Sequence, residues 1–164
     1  PSEVAEAMER AGGTTRTCLE EVRRISQRLR PGVLADLGLL NSLSSLASDL
    51  TARTGMPVTR GFVPGLPPLT PESELVVYRV AQEALTNVVR HARATSVSLG
   101  LARVGDSVVL TVTDDGTGGA DVRRGTGIHG MHERAQMVGG SLTVATPDGG
   151  GTTVRLSVPA AGTP

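Results

Sequence analysis

The chain has 164 residues, with 16 Lys plus Arg against 16 Asp plus Glu and no net charge when its histidines are neutral. That length suits one modest domain, or one domain plus an extension, and the balanced charge gives no strongly basic surface of the kind that argues for nucleic acid. The one cysteine, Cys18, excludes an internal disulfide framework. No apolar run approaches the roughly 20 residues of a membrane-spanning helix, and no basic-plus-apolar signal segment opens the chain. Phe62 and Tyr78 are its only large aromatic residues, so the core must be aliphatic and base recognition by aromatic stacking is disfavoured.

Residues 1–30 read as a helix. Val4, Met8, Ala11, Thr15, Cys18, Val22, Ile25 and Leu29 recur at alternating spacings of four and three, a heptad seam. Gly12 and Gly13 interrupt its first half, and Arg30-Pro31-Gly32 stops it. Such a helix is more often half of a hairpin or a dimer element than a catalytic part, and Cys18 on its seam is most simply a core residue.

Leu34 to Thr54 predicts a second helix with Leu37, Leu40, Leu43, Leu46, Ala47 and Leu50 as its apolar set. Met56 to Val63 predicts a strand. Thr70-Pro71-Glu72 is a helix start, with Thr as N-cap and Pro in the first turn. The helix it opens runs to about Ala92, with Leu75, Tyr78, Ala81, Leu85, Val88 and Ala92 as its buried stripe. Its other side carries Arg79, Glu83, Asn87, Arg90 and His91. Glu83, Asn87 and His91 follow one another at intervals of four. An Asn oxygen suits Mg2+, and a Glu can orient or deprotonate a nucleophile, although a plain solvated helix face is the commoner meaning of this pattern.

The period then changes to two. Val97, Leu99 and Leu101 predict one strand, and Val108, Leu110 and Val112 a second after the Gly105-Asp106 turn. Asp114 shares the parity of Val108 to Val112, so it should point to the buried side at the strand end. A carboxylate there needs a partner. It can accept from an exocyclic amine such as that of adenine, or cap the following glycine turn, and parity alone divides those evenly.

Two glycine-rich stretches follow, Asp114-Asp115-Gly116-Thr117-Gly118-Gly119 and Gly125-Thr126-Gly127-Ile128-His129-Gly130. Glycine lets backbone amides converge on an anion, and the second stretch runs into a helix from about Ile128 to Val138, whose N-terminus also favours anions. The second stretch matches G-x-G-x-x-G, but no strand immediately precedes it, which argues against a dinucleotide fingerprint. A glycine hinge for a lid over phosphates suits the layout better. His129, His132 and Glu133 lack a further metal ligand in evident reach and read as surface residues. A hairpin of Ser141–Ala145 and Val154–Val158 closes the domain, and residues 160–164 read as a disordered tail. The sum is an α+β chain: a two-layer α/β sandwich with a mixed sheet, helices on one face and a helical segment before it.

Five stretches in order resemble the ATP-binding catalytic domain of sensor histidine kinases, in the gyrase/Hsp90/histidine-kinase/MutL superfamily. Arg79 to Ala92 resembles the N box, Asp114-Asp115-Gly116-Thr117-Gly118 the G1 box, Gly125 to Arg134 the G2 box, and Gly151-Thr152-Thr153 the terminal G-T motif. Leu29-Arg30-Pro31 with Leu37-Gly38-Leu39 resembles the end of the dimerisation hairpin in the nitrate-sensor and desaturase-regulator subfamily. The resemblance implies a Bergerat-type ATP-binding fold over 31–159, a partial dimerisation hairpin over 1–30, and ATP with Mg2+ as ligands. It implies Asp114 at the adenine amine, Asn87 on Mg2+, Glu83 assisting phosphoryl transfer, and Arg90 and His91 near the phosphates. Gly116 and Gly118 would shape the pocket, Gly125, Gly127 and Gly130 would hinge the lid, and Thr152 would meet phosphate.

The family's phosphoacceptor histidine lies upstream of a segment like 1–30, and no acceptor box is present. The expectation is therefore ATP binding without autophosphorylation by residues 1–164 alone. A homodimer and a response regulator are the expected partners of the full-length protein, with no nucleic acid. The resemblance implies a cytoplasmic location for this stretch, with any membrane anchor in upstream segments. Two other readings stand beside it, an anti-sigma-factor-type serine kinase and a non-catalytic nucleotide-binding interaction domain.

Overall fold

A computed structural model describes residues 31–118 and 126–162. The heptad helix expected over 1–30 and Gly125, expected at the hinge of a lid, lie outside the described residues. In chain order the elements are α1 (Gly32–Thr54), β1 (Val58–Phe62), α2 (Pro71–Asn87), a π-helical turn (Val88–Ala92), β2 (Val97–Val104), β3 (Ser107–Asp114), α3 (Thr126–Met137), β4 (Ser141–Ala145) and β5 (Thr153–Pro159). The strands form one five-stranded sheet in the order β1-β2-β3-β5-β4. β1 runs parallel to β2 and every other pair is antiparallel.

Strand parity builds the sheet's inner face. Val97, Leu99 and Leu101 of β2, Val108, Leu110 and Val112 of β3, and Val154, Leu156 and Val158 of β5 are all buried in one cluster with the helices. Each such side chain contributes about 1.5–3 kcal/mol by leaving water. The helical side of the cluster comes from α2, where Val77, Val80, Ala81, Ala84 and Leu85 are buried, joined by Val88 of the π-helical turn, Leu43, Ala47 and Leu50 of α1, and Met131 and Ala135 of α3. Leu75, expected in the α2 stripe, is only half-buried; Val76 and Val77 supply that end of the contact.

The start of α2 follows its sequence. Thr70 Oγ1 accepts from Ser73 N–H at 3.1 Å and Pro71 occupies the first turn, which satisfies one of the helix's orphan donors. α1 does not follow its sequence throughout. Gly38 sits at φ 74°, ψ 172° and interrupts the helix. The buried Ser42 hydroxyl is within hydrogen-bond distance of both flanking carbonyls, Gly38 O at 2.7 Å and Val33 O at 3.0 Å. Beyond the kink, Leu43, Ala47 and Leu50 point inward. Before and just after it the phase differs, and Leu37 and Leu40 stand 51% and 41% exposed rather than in the core. The β1 strand is shorter than the Met56–Val63 expected. Past β5 the chain stays tied: Ala160 N–H donates to Asp106 O (2.9 Å) and Ala161 N–H to Pro68 O (2.8 Å). Among the described residues no helix is long and apolar enough to cross a membrane.

Candidate functional site

The last residue of β3, Asp114, is 6% exposed, as its parity requires. Its backbone remains in the sheet, paired with Val97 across β2, and its N–H donates to Thr152 O at 3.0 Å. Its Oδ1 accepts from Gly116 N–H at 2.9 Å. Among the described residues that is the side chain's one hydrogen bond, so Oδ2 remains available. The two sequence readings of Asp114 are thus compatible, because one oxygen caps the glycine turn while the other keeps its lone pairs.

The turn after Asp114 is pressed between two backbones. A Cβ on Gly116 would collide with Ala92 O and with Asp114 Oδ1, and a Cβ on Gly151 would collide with Asp114 O. Gly118 (φ 67°) lies against Thr146 and Gly151. The space beside these glycines is filled by the protein's own main chain, together with the Thr146 methyl and Asp114 Oδ1. They let β3, the π-turn and the β4–β5 connection close up around Asp114. Ala92 O belongs to the end of the π-turn, where a carbonyl lacks a helical partner. It accepts from Thr117 N–H at 2.9 Å, so the helix end and the turn after β3 are joined directly.

The second half of the candidate site lies where α2 meets α3. Glu83 and Asn87 are half-buried on the last turns of α2. Gly127, in the first turn of α3, faces both: a Cβ there would run into Glu83 Oε1 and lie 3.6 Å from Asn87 Nδ2. A fully solvated helix face does not describe these two residues. It does describe Arg90 and His91, which are exposed on the π-turn. Gly130 leaves room for the Arg134 guanidinium, 3.4 Å from where a Cβ would sit. Burial lowers the Arg134 pKa from its ordinary value; Glu83 opposes that shift and Arg79 adds to it. Arg134 remains a cation, as arginine does in proteins. Glu83 also borders a cleft of about 330 Å3 between α1 and α2, lined in addition by Leu46, Leu50, Arg53, Gln82, Leu85 and Thr86. Neither Asn87 nor Asp114 lines that cleft. His129 pairs with Glu133 across one helical turn at 3.3 Å, both largely exposed.

Residues 72–162 match the family of histidine kinase-, DNA gyrase B- and HSP90-like ATPases. The chain belongs to this family. As an ATPase domain of this kind it resembles the sensor histidine kinase MctS of Rhizobium johnstonii, 35% identical over 147 residues that make 86% of this chain and 32% of that protein. It is also similar to the oxygen sensor histidine kinase NreB of Staphylococcus carnosus, 33% identical over 161 residues, 96% of this chain and 46% of that one. The chain spans about a third to a half of the length of the curated relatives it matches. Among solved structures, the histidine kinase domain of the Erythrobacter litoralis EL346 blue-light activated kinase superposes with a TM-score of 0.59 at 26% identity, over 73% of this chain and 59% of that one.

Two features of the ATPase domain escaped the sequence reading. Asp115, treated only as a motif position, accepts four hydrogen bonds from Thr95 and Ser96. The π-turn gave no periodic signal at all, because the apolar positions Val88 and Ala92 also suit an α-helix. Such a widened turn often marks a functional position, and here it follows Asn87 directly.

Proposed function

We propose that this chain is the ATP-binding catalytic part of a sensor histidine kinase, moving the γ-phosphoryl of ATP to a histidine supplied outside residues 1–164 and thence to a response regulator. The observation that carries the reading is Asp114: a buried carboxylate at a strand end, one oxygen committed to Gly116 and the other open, in a family that binds ATP. The open oxygen is a natural acceptor for the adenine amine. An ionised acceptor makes that bond stronger than a neutral one.

The triphosphate would then extend toward the α2–α3 end, where Asn87 offers a side-chain oxygen. Mg2+ bound there through one or two protein ligands would neutralise charge on the transferring phosphoryl group. Glu83, held against Gly127, would accept or orient the proton of the attacking imidazole. Arg90 and His91, exposed at the π-turn, would approach the phosphates, as would Gly125, Gly127, Gly130 and Thr152. Phosphoryl transfer asks chiefly for positioning and charge neutralisation, which this set supplies. Homodimerisation through the segment 1–30, and no autophosphorylation by this chain alone, complete the proposal.

Calorimetric titration tests it. ATP is expected to bind in the presence of magnesium. Asp114→Asn is expected to weaken binding about tenfold or more while the fold persists, the scale of one hydrogen bond to a charged group. Unchanged affinity would remove the adenine assignment. Asn87→Ala is expected to abolish the magnesium dependence of binding, and persistent dependence would count against the ligand role.

A further inference from the structure

Asp115 is the exposed neighbour of the buried Asp114, and its carboxylate is saturated from the protein side. Oδ1 accepts from Thr95 N–H at 2.7 Å and Ser96 N–H at 2.9 Å. Oδ2 accepts from Thr95 Oγ1 at 2.6 Å and Ser96 Oγ at 2.9 Å. Both donors precede β2, so this one side chain joins the approach to β2 to the exit from β3. The backbone adds a fifth, longer link, Asp115 N–H to Ser96 O at 3.4 Å. The contacts continue inward. Asp115 fixes the first residue of the turn, the next residue is Gly116, and Gly116 N–H holds Asp114 Oδ1. One step further, Thr117 N–H is held by Ala92 O.

We infer that Asp115 is a positioning residue for the nucleotide: by clamping the turn through Thr95 and Ser96 it fixes the Gly116 N–H that orients the Asp114 carboxylate. This rests on the reading of Asp114 as the adenine acceptor. The physical argument is one of rotamers. A carboxylate with a single intramolecular hydrogen bond is oriented only as well as that donor is placed. Gly116 O accepts from Gly151 N–H at 2.7 Å and Thr117 N–H donates to Ala92 O, which ties the far side of Gly116; its N–H lies on the near side, in the peptide that Asp115 begins. Without the clamp, Asp114 would sample several rotamers, and a ligand amine would have to restrict them on binding. With it, the acceptor is oriented before the ligand arrives, the arrangement that precise sites require. An Asn at this position could do nearly the same work. Its oxygen can receive the two N–H groups, and its amide can donate to the two hydroxyls, which rotate to accept.

The test compares two nucleotides on the whole chain by calorimetry: ATP, and purine riboside triphosphate, which lacks the 6-amino group. The unsubstituted protein is expected to prefer ATP by about tenfold or more. Asp115→Ala is expected to lower ATP affinity by about tenfold, the scale on which outer partners of a binding group act, and to lose most of the preference. Asp115→Asn is expected to restore both. If Asp115→Ala fails to fold, Thr95→Val with Ser96→Ala removes the two hydroxyl donors and is expected to narrow the preference in the same direction. An equal loss for both nucleotides, or an undiminished preference for ATP, overturns the proposal, since a purely structural role would not discriminate between them. If Asp114→Ala leaves the preference intact, the adenine reading fails as well. If Asp114→Ala abolishes the preference and Asp115→Ala does not, the positioning role alone fails.

Discussion

At the β3 end, Asp114 and Asp115 are held by backbone and hydroxyl donors, and Gly116 and Gly151 lie so close to neighbouring main chain that no Cβ fits. At the α2 end, Glu83 and Asn87 reach across to Gly127 with flexible side chains, and the groups around them, Arg79 and Arg134, are long and charged. The first arrangement is backbone against backbone and can hardly relax. The second is side chain against helix and can adapt. Under the proposed function, a planar, invariant base would suit the first and a triphosphate whose terminal group departs the second.

Gly151→Ala breaks the comparison at its stiff end. The residue sits at φ 77° and its Cβ would strike Asp114 O. Left-handed strain of about 1–2 kcal/mol adds to overpacking of about 1–3 kcal/mol, so the denaturation midpoint should fall by the equivalent of about 3 kcal/mol. Asp115 gives an effect that depends on pH. Hydrogen bonds from the Thr95 hydroxyl first, then the Ser96 N–H and hydroxyl and the Thr95 N–H, hold its carboxyl well below the ordinary carboxylate range. A depressed folded pKa means stability present above the ordinary value and lost as pH falls toward the folded one. The stability gap between the unsubstituted protein and Asp115→Ala, followed by urea titration, should therefore be full near neutral pH and begin to narrow below about pH 4. A gap that stays constant into acid would show that the charge contributes nothing.

Gly127→Ala probes the adaptable end and should have the smallest effect on stability. The clash is with the far end of a long side chain, and alanine improves helix propensity by up to about 1 kcal/mol. Thermal unfolding should shift by no more than about 1 kcal/mol either way. A loss as large as that of Gly151→Ala would show that the two ends are equally rigid.

The legible part of the fold is the part governed by short periods. Alternation placed Val108, Leu110, Val112 and, two residues on, Asp114 on the buried face, and the Thr70-Pro71 start of α2 was readable because its cap is local. The α1 start was not readable. A leucine spacing says nothing of a glycine that leaves the helical region, and the exposure of Leu37 and Leu40 follows from Gly38. The glycine boxes stood out in the sequence, but what each glycine touches did not: Gly116, expected to shape a pocket, approaches Ala92 O, and Gly127, expected in a lid, approaches the Glu83 carboxylate.

Sequence by itself determined where the strands lie, where α2 starts and the one acidic residue that strand parity turns inward, because each depends on neighbours within a few positions. Tertiary structure alone decided which groups meet: Asp115 with donors 19 and 20 residues away, Gly151 with Asp114, and Gly127 with Glu83. Those encounters depend on how the sheet orders its strands and where α3 lies against α2, and no local period encodes either.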